Sequence, residues 1–183
     1  MELVIPSTAS LPGFVDALER GWSPNTERDV SGELLAEIAE DPATFLRQAD
    51  DPDPGGRTVT LPDGSQVPRL PSFVRWMWDG EFCGSINLRW QVGTTDLPPT
   101  CLGHIGYAVV PWKQRRGYAT EALRLMLVEA RVTALSFVEI TTDTDNVASQ
   151  KVVTSNGGVL VTEFDKGSAY GGGGGLLYRI TLS

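Results

Sequence analysis

The sequence predicts an α+β fold, in which a mixed, mostly antiparallel sheet carries helices on both faces. Three observations predict this class. The predicted elements follow the order βαα, then a β-meander, then βαβαβ. The dipeptide Asp79-Gly80 separates two strand-like runs and is a hairpin signal. Ala119–Arg131 has apolar residues at helical spacing and follows a strand that stops at Pro111.

The length of 183 residues suits one domain, residues 1–183, built around one core. We expect residues 1–71 to form a variable helical and loop part and residues 72–183 to form the core. Asp50–Pro71 separates the two parts and is rich in turn residues. Because only about 50 residues precede it, we interpret this segment as a long loop and not as a linker between two cores.

The first part contains three predicted elements and one predicted hairpin. Proline ends the first element at Pro6 and breaks the third at Pro42, because it lacks the backbone donor that strands and helices use. In chain order these features are a strand at Glu2–Ile5, a helix at Leu11–Trp22, a broken helical stretch at Ser31–Gln48 and a small hairpin between Thr58 and Val67.

The core part combines strands rich in β-branched and aromatic residues with two helices. Asn156-Gly157 closes the second helix, and five consecutive glycines, Gly171–Gly175, predict a mobile or disordered loop before the last strand. The predicted strands are Phe73–Trp78, Phe82–Trp90, Leu102–Val110, Phe137–Thr142, Gly158–Phe164 and Leu176–Leu182, and the predicted helices are Ala119–Arg131 and Asn146–Ser155.

Composition excludes several classes of function. The 23 acidic residues outnumber the 15 basic ones, giving a formal net charge of −8, which disfavours binding to nucleic acid or to an anionic membrane. Cys83, Cys101 and His104 lack the spacing of a metal site, so we expect no metal. No apolar run approaches the ~20 residues that span a bilayer, and the start of the chain does not resemble a signal peptide. We therefore expect a cytoplasmic protein with reduced thiols.

The segment Val109–Thr120 is the most informative part of the chain. A strand ends at Pro111, a basic loop follows, and a helix begins at a small residue. The unpaired N–H groups and the dipole at a helix N-terminus favour an anion, and Gly117 would allow close approach to a phosphate. The segment is neither a Walker loop nor a dinucleotide fingerprint. Residue types alone leave two interpretations open, a pyrophosphate cradle and a solvated basic loop.

The stretch Gln114–Ala119 resembles the motif Q/R-x-x-G-x-G/A of the GNAT superfamily of acetyl-CoA-dependent N-acetyltransferases. A second match supports it, because Asn146–Val152 followed by Asn156-Gly157-Gly158 looks like the family's short helix after its fifth strand. The resemblance covers about residue 73 to the C-terminus. It implies acetyl-CoA as cosubstrate and a splay between the fourth and fifth strands of the family, here Leu102–Val110 and Phe137–Thr142.

The resemblance also implies a set of cofactor-binding residues. Main-chain groups of Val109 and Val110 would pair with the pantetheine arm, and one of their amides would stabilise the oxyanion. The Asn146 side chain would bond to the same arm, although it could equally cap its own helix. Lys151 would reach toward the CoA phosphates. Backbone amides would hold the pyrophosphate, and they belong to Gln114, Arg115, Arg116, Gly117, Tyr118, Ala119 and Thr120.

The pattern leaves several candidates for the residues that move protons. His104 is a candidate base because its unperturbed pKa suits proton transfer near neutral pH, but it could instead be a hydrogen-bonded core residue. Glu81, Glu139 and a chain of water molecules are alternatives. Many family members place a tyrosine where this sequence has Val153, so Ser149, one turn earlier, is the candidate proton donor. Its alternative role is that of an ordinary residue of the first helical turn.

The function that these features imply is transfer of an acetyl group from acetyl-CoA to a primary amine of a small molecule or protein, by direct attack in a ternary complex. The alternative is a non-catalytic acyl-CoA-binding sensor, which the missing tyrosine favours. The sequence does not identify the amine acceptor, and it leaves association into a homodimer open. The tryptophans at 76, 78, 90 and 112 could line an acceptor pocket, although aromatic residues at strand spacing more often pack in a core.

Overall fold

A computed structural model describes residues 1–26, 28–61, 64–167, 170 and 172–182 of the chain. The strands are β1 Glu2–Val4, β2 Asp50–Asp51, β3 Thr58–Thr60, β4 Gln66–Pro68, β5 Ser72–Trp78, β6 Phe82–Arg89, β7 Ile105–Val109, β8 Phe137–Asp143, β9 Val159–Asp165 and β10 Gly174–Thr181. The helices are α1 Leu11–Glu19, α2 Ser31–Glu40, α3 Pro42–Arg47, α4 Tyr118–Ala130 and α5 Val147–Ser155, with 3₁₀ turns at Pro111–Lys113 and Arg131–Thr133.

The strands form two main sheets. The N-terminal sheet has the order β1-β5-β6-β7, with β2 also pairing β5, and the C-terminal sheet has the order β8-β10-β9. Every ladder between described strands is antiparallel. β7 and β8 lie at the facing edges of the two sheets and share no ladder. The α+β class is confirmed, and the missing ladder is the separation that the sequence predicted between these two strands.

Helices cover both faces of the N-terminal sheet. Alternate residues of a strand point to opposite faces, and β7 shows this clearly. Ala108, with Val110 just beyond the strand, packs in a cluster with Phe14 and Trp76, where the Phe14 and Trp76 rings stack at 4.7 Å. Tyr107, on the other face, packs against the cluster that contains most of the buried side of α4. We call the first the α1 face and the second the α4 face.

The tryptophans mostly serve this packing. Trp76 is 1% exposed and Trp90 is 8% exposed, so both lie in the core. Trp112 packs at the edge of the α1-face cluster, with the Arg20 guanidinium 3.4 Å above its ring. This cation–π contact ties α1 to the segment that follows β7.

Local chemistry explains the elements that the sequence predicted well. The helical stretch divides at Pro42 because Asp41 ends one helix and caps the next, where its side chain accepts from the Thr44 amide at 3.0 Å. The hairpin between Thr58 and Val67 is present as β3 and β4. Gly171, the first residue of the predicted glycine loop, lies outside the described residues, and β10 already begins at Gly174.

The start of β7 differs from the prediction. The strand begins at Ile105 and not at Leu102, because the preceding residues bond to β8. The His104 amide donates to the Glu139 carbonyl at 2.7 Å, and the Thr141 hydroxyl donates to the Leu102 carbonyl at 2.6 Å. These bonds join the two sheets at the point where β7 begins. Among the described helices, none combines the length and apolar character that crossing a membrane requires.

Candidate functional site

The connection from β7 to α4 has the backbone of an anion cradle. Arg115 has a φ of 60° and Gly117 a φ of 78°, so the chain turns twice through the left-handed region. Gly117 is the N-cap of α4 and provides no side-chain cap. The amides of the first turn of α4, at Tyr118, Ala119 and Thr120, are therefore left for water or a ligand.

The basic side chains of this connection have two different surroundings. Arg115 and Arg116 are exposed and form no ion pair with any described residue. Lys113 instead turns back to the β5–β6 hairpin, where its Nζ lies 3.0 Å from Asp79 Oδ1 and 2.9 Å from Glu81 Oε2. The two arginines add positive charge beside the helix dipole, whereas Lys113 fixes the connection in place.

Asp79 is a functional candidate that the sequence reasoning missed. Its Oδ2 accepts from the Tyr118 hydroxyl at 2.6 Å and from Lys113 Nζ at 3.1 Å. The bond from Tyr118, followed by that from Lys113, lowers the pKa of the Asp79 carboxyl well below its usual value. Asp79 thus holds the start of α4 against the hairpin. In the sequence, Asp79 stands out only by its place in the Asp79-Gly80 turn. Aspartate is common in turns, so that place does not indicate a functional role.

Only one of the two predicted valines has main-chain groups that face the gap between the sheets. The Val110 amide donates to the Cys83 carbonyl at 3.0 Å, and the Val110 carbonyl accepts from the Lys113 amide at 3.0 Å. The expectation that Val110 offers a free amide is therefore corrected. Because hydrogen bonding alternates along an antiparallel strand, the Val109 amide points away from β6 and into the gap. The Val109 carbonyl accepts from Gln114 Nε2 at 3.3 Å.

The start of α5 lies on the other side of the gap. Asn146 is the N-cap, and its Oδ1 accepts from the Ser149 amide at 3.0 Å, so the capping role is observed. The Nδ2 group of Asn146 makes no bond to the residues that the structure describes. Lys151 is exposed on the same helix. Val153 is fully buried in the core, away from solvent.

A pair of hydroxyls bridges β7 and α5. Tyr107 Oη lies 2.7 Å from Ser149 Oγ and 3.3 Å from the Ser149 carbonyl oxygen. Burial raises the pKa of Tyr107 to about 12, so its hydroxyl stays protonated at neutral pH. The structure thus brings Ser149 together with a tyrosine from β7, which sequence reasoning missed. A usable signal existed, because Tyr107 precedes Val109 by two residues and so lies on the same strand face.

His104 is a core residue with both ring nitrogens engaged. It is fully buried. Nδ1 accepts from the Glu139 amide at 2.9 Å, and Nε2 lies 3.1 Å from the Thr95 carbonyl oxygen, which can only accept. The ring is therefore neutral with its proton on Nε2, and burial lowers its pKa further. The expectation that His104 is the base is corrected, because its one lone pair is already used.

The carboxylate alternatives are also paired. Glu81 has a largely exposed side chain and bonds to Lys113 at the hairpin turn. Glu139 Oε1 accepts from Arg179 Nη2 at 2.6 Å. A water chain thus remains a prediction for the base. Among the residues that the structure describes, no group of three or more His, Cys, Asp and Glu side chains could hold a metal ion.

Several solved structures of acetyltransferases have a fold similar to that of this chain. RimJ from Mycobacterium smegmatis, solved in complex with CoA-disulfide, matches with a TM-score of 0.64 and 19% identity over 98% of this chain and 80% of that chain. The microcin C7 self immunity acetyltransferase MccE, solved with acetyl-CoA and AMP, matches with a TM-score of 0.64 and 12% identity over 98% and 91%. A mutant of the spermidine N-acetyltransferase SpeG from Vibrio cholerae matches with a TM-score of 0.60 and 11% identity over 100% and 96%.

At these identities the likeness shows the fold and not the substrate. No curated protein matches the sequence significantly. A family model described as "Acetyltransferase (GNAT) domain", however, matches residues 26–159, which is more than half of the chain. That segment contains the Gln114–Ala119 connection, the Val109 edge and the Tyr107–Ser149 pair. The chain therefore belongs to the GNAT acetyltransferase family.

Proposed function

We propose that the protein transfers an acetyl group from acetyl-CoA to a primary amine by direct attack within a ternary complex. The observation that carries the proposal is the uncapped first turn of α4, which lies beside the edge of β7 where the Val109 amide is directed into the gap. A phosphate group and an extended arm need these two features next to each other.

The residues of the β7–α4 connection suit a pyrophosphate. The amides of Gly117, Tyr118, Ala119 and Thr120 are donors at the positive end of a helix dipole. The exposed side chains of Arg115 and Arg116 add charge in a protein whose net charge is −8. Solved relatives in complex with acetyl-CoA or CoA support the same ligand. The free Nδ2 of Asn146 and the exposed ammonium of Lys151 are the groups proposed to bind the rest of the cofactor.

Bound acetyl-CoA supplies a thioester carbonyl, and the chain supplies the groups around it. The Val109 amide is the proposed donor to the oxyanion, since the Val110 amide is bonded to Cys83. An alkylammonium with a pKa near ~10.4 must lose a proton before it can attack. Because His104 has no free lone pair, we assign this proton to ordered water that leads to solvent.

The Tyr107–Ser149 pair is the proposed proton source for the leaving thiolate. Ser149 lies in the first turn of α5, at the edge of the gap, and its hydroxyl would contact the sulfur. Tyr107 holds that hydroxyl at 2.7 Å and acts as a positioning residue. Ser149 would give its hydroxyl proton to the sulfur and recover a proton from solvent, while Tyr107, with a pKa of about 12, stays protonated and keeps its bond to Ser149 through the neutral range.

An amine-dependent release of free CoA tests the proposal. We expect wild-type protein to release CoA from acetyl-CoA only when a primary amine is present, with the acetylated amine identified by mass spectrometry. The buried Val153, which carries no hydroxyl, favours the second candidate, a non-catalytic acyl-CoA sensor. CoA binding without turnover of any amine in a broad panel would support the sensor and contradict the transferase.

A further inference from the structure

We propose that a cavity beneath residues 96–102 binds the acceptor, and that the acceptor is a primary ammonium attached to an apolar group. The cavity has a volume of about 430 Å³. This inference rests on the proposed function, because it names the substrate class of that reaction. The cavity is separate from the cofactor residues, since none of its lining residues belongs to the β7–α4 connection or to α5.

The C-terminal sheet forms the floor of the cavity. Val138 and Ile140 of β8 are buried in the same core cluster as α4, so Glu139 lies on the opposite sheet face. Leu177 of β10 and Phe164 of β9 supply apolar floor on that face. The cavity therefore lies across the sheet from the proposed cofactor side. An occupant of the cavity would lie on the sheet face opposite α4 and α5, beside the start of β7.

The connection between β6 and β7 forms the roof, and Leu97, Pro98 and Leu102 supply its apolar lining. Hydrogen bonds to β8 hold this roof at both ends. At one end the His104 ring donates to the Thr95 carbonyl while it accepts from the Glu139 amide. At the other end the Thr141 hydroxyl donates to the Leu102 carbonyl.

Gly103 lets the roof approach β8 closely, because a Cβ there would lie 3.1 Å from the Glu139 carbonyl oxygen. The buried histidine thus shapes the cavity and does not carry protons. By bonding both Thr95 and Glu139, its ring fixes the distance between the roof and β8.

The carboxylate of Asp96 and the second oxygen of the Arg179-paired Glu139 make the cavity suitable for a cation. Arg179 contacts only Oε1 of Glu139, at 3.2 Å and 2.6 Å, which leaves Oε2 able to accept from an ammonium. Asp96 is exposed and lies on the roof. The surrounding lining is mostly leucine, proline and phenylalanine, which favours an apolar group next to the charge. A volume of about 430 Å³ lies in the usual range for small-molecule sites.

Filling the cavity from its floor tests the inference. Thr162 lines the cavity and is exposed on β9, so Thr162→Trp adds bulk there with little cost to the core. Val161 is the next residue on the same strand and points to the other face, so Val161→Trp is the matched control. Phenethylamine, ethanolamine and 2-phenylethanol are the probes, and calorimetry on CoA-saturated protein measures their binding directly.

We expect wild-type protein to bind phenethylamine at least about tenfold more tightly than either ethanolamine or 2-phenylethanol, because only phenethylamine has both the ring and the charge. Thr162→Trp should lose this preference and Val161→Trp should keep it. Asp96→Asn should selectively weaken phenethylamine relative to 2-phenylethanol, which tests the charge without adding bulk. A short peptide that begins with leucine then shows whether a free amine or a peptide N-terminus is the source of this chemistry.

Different outcomes would overturn the cavity assignment and the proposed transferase. Equal binding of phenethylamine by Thr162→Trp and Val161→Trp, or equal binding of all three probes by wild-type protein, would overturn the cavity assignment even if other amines are acetylated. Phenethylamine that binds in the cavity while no amine of a broad panel is acetylated would overturn the proposed transferase and the acceptor role of the cavity, and would leave only its preference for an apolar ammonium.

Discussion

Two connections flank β7, and they are specified in different ways. The one that follows it, residues 111–117, takes its backbone turns from its own residues, namely two left-handed conformations at Arg115 and Gly117 and the start of a helix, and one side chain, Lys113, ties it to the β5–β6 hairpin. The one that precedes it, residues 90–104, is held by bonds to residues 35 to 41 positions away on and beside β8. We therefore expect substitutions in the first connection to leave the fold intact and substitutions in the second, which joins the two sheets, to lower stability.

The largest expected effect concerns His104, which joins the second connection to β8. His104→Ala removes two ring hydrogen bonds and leaves a cavity in the core. We expect the free energy of unfolding to fall by about 3 kcal/mol in chemical denaturation. Activity per folded molecule should remain, because the ring lone pair is not available as a base. A stable variant with a rate at least about a hundredfold lower would contradict this assignment.

The pH dependence of stability provides a second test of the His104 assignment. Burial lowers the pKa of His104 in the folded protein below that of the unfolded chain, near ~6.5. The unfolded state therefore binds the proton more readily, and wild-type stability should fall as pH drops below ~6.5. His104→Ala lacks this contribution. The difference in unfolding free energy between the two proteins should therefore narrow on acidification, and a difference that widens would contradict the neutral, doubly bonded ring.

The next largest effect is expected at Tyr107, where it separates a role in positioning Ser149 from a role in packing. Tyr107→Phe removes the hydroxyl that holds Ser149, and we expect kcat to fall roughly ten- to hundredfold while the KM for acetyl-CoA changes little. Tyr178→Phe, a change at a buried tyrosine of β10, is the control. Ser149→Ala should not add its full effect to Tyr107→Phe, since the two hydroxyls act together. An unchanged kcat with a lower melting temperature would reduce the pair to a structural bridge.

The smallest effect tests how the first connection is held. Asp79→Asn removes the charge that Lys113 faces, and the pyrophosphate cradle should lose part of its fixed geometry. We expect the KM for acetyl-CoA to rise roughly three- to tenfold with kcat nearly unchanged. Glu33→Gln breaks an exposed ion pair on α2 and should leave both parameters alone. A fall in kcat at constant KM would show that Asp79 acts on the chemistry instead.

The same contrast explains what the sequence could predict. The turn before α4 could be predicted because Gln114–Ala119 contains its own turn chemistry, whereas its interpretation as a cradle came from the family resemblance. Asn146 is read as a cap from local pattern alone. The mixed class and most element bounds follow from periodicity. The pairing of the Val110 amide with Cys83, the Tyr107–Ser149 contact and the engaged ring of His104 depend on which strands meet in space. No residue pattern within one segment specifies contacts between segments that are distant in the sequence.

Calorimetry of CoA binding decides whether the start of α4 holds the pyrophosphate. Gly117→Asp places a side chain and a negative charge where the first turn of α4 is uncapped, and Gly56→Asp makes the same change in a remote loop at the same φ of 78°. A Cβ at either glycine meets no atom within 4 Å, so neither variant is crowded. We predict that wild-type protein and Gly56→Asp bind CoA alike and that Gly117→Asp loses at least about a hundredfold in affinity while remaining folded. Equal affinities for CoA in both variants would contradict the cradle at the start of α4.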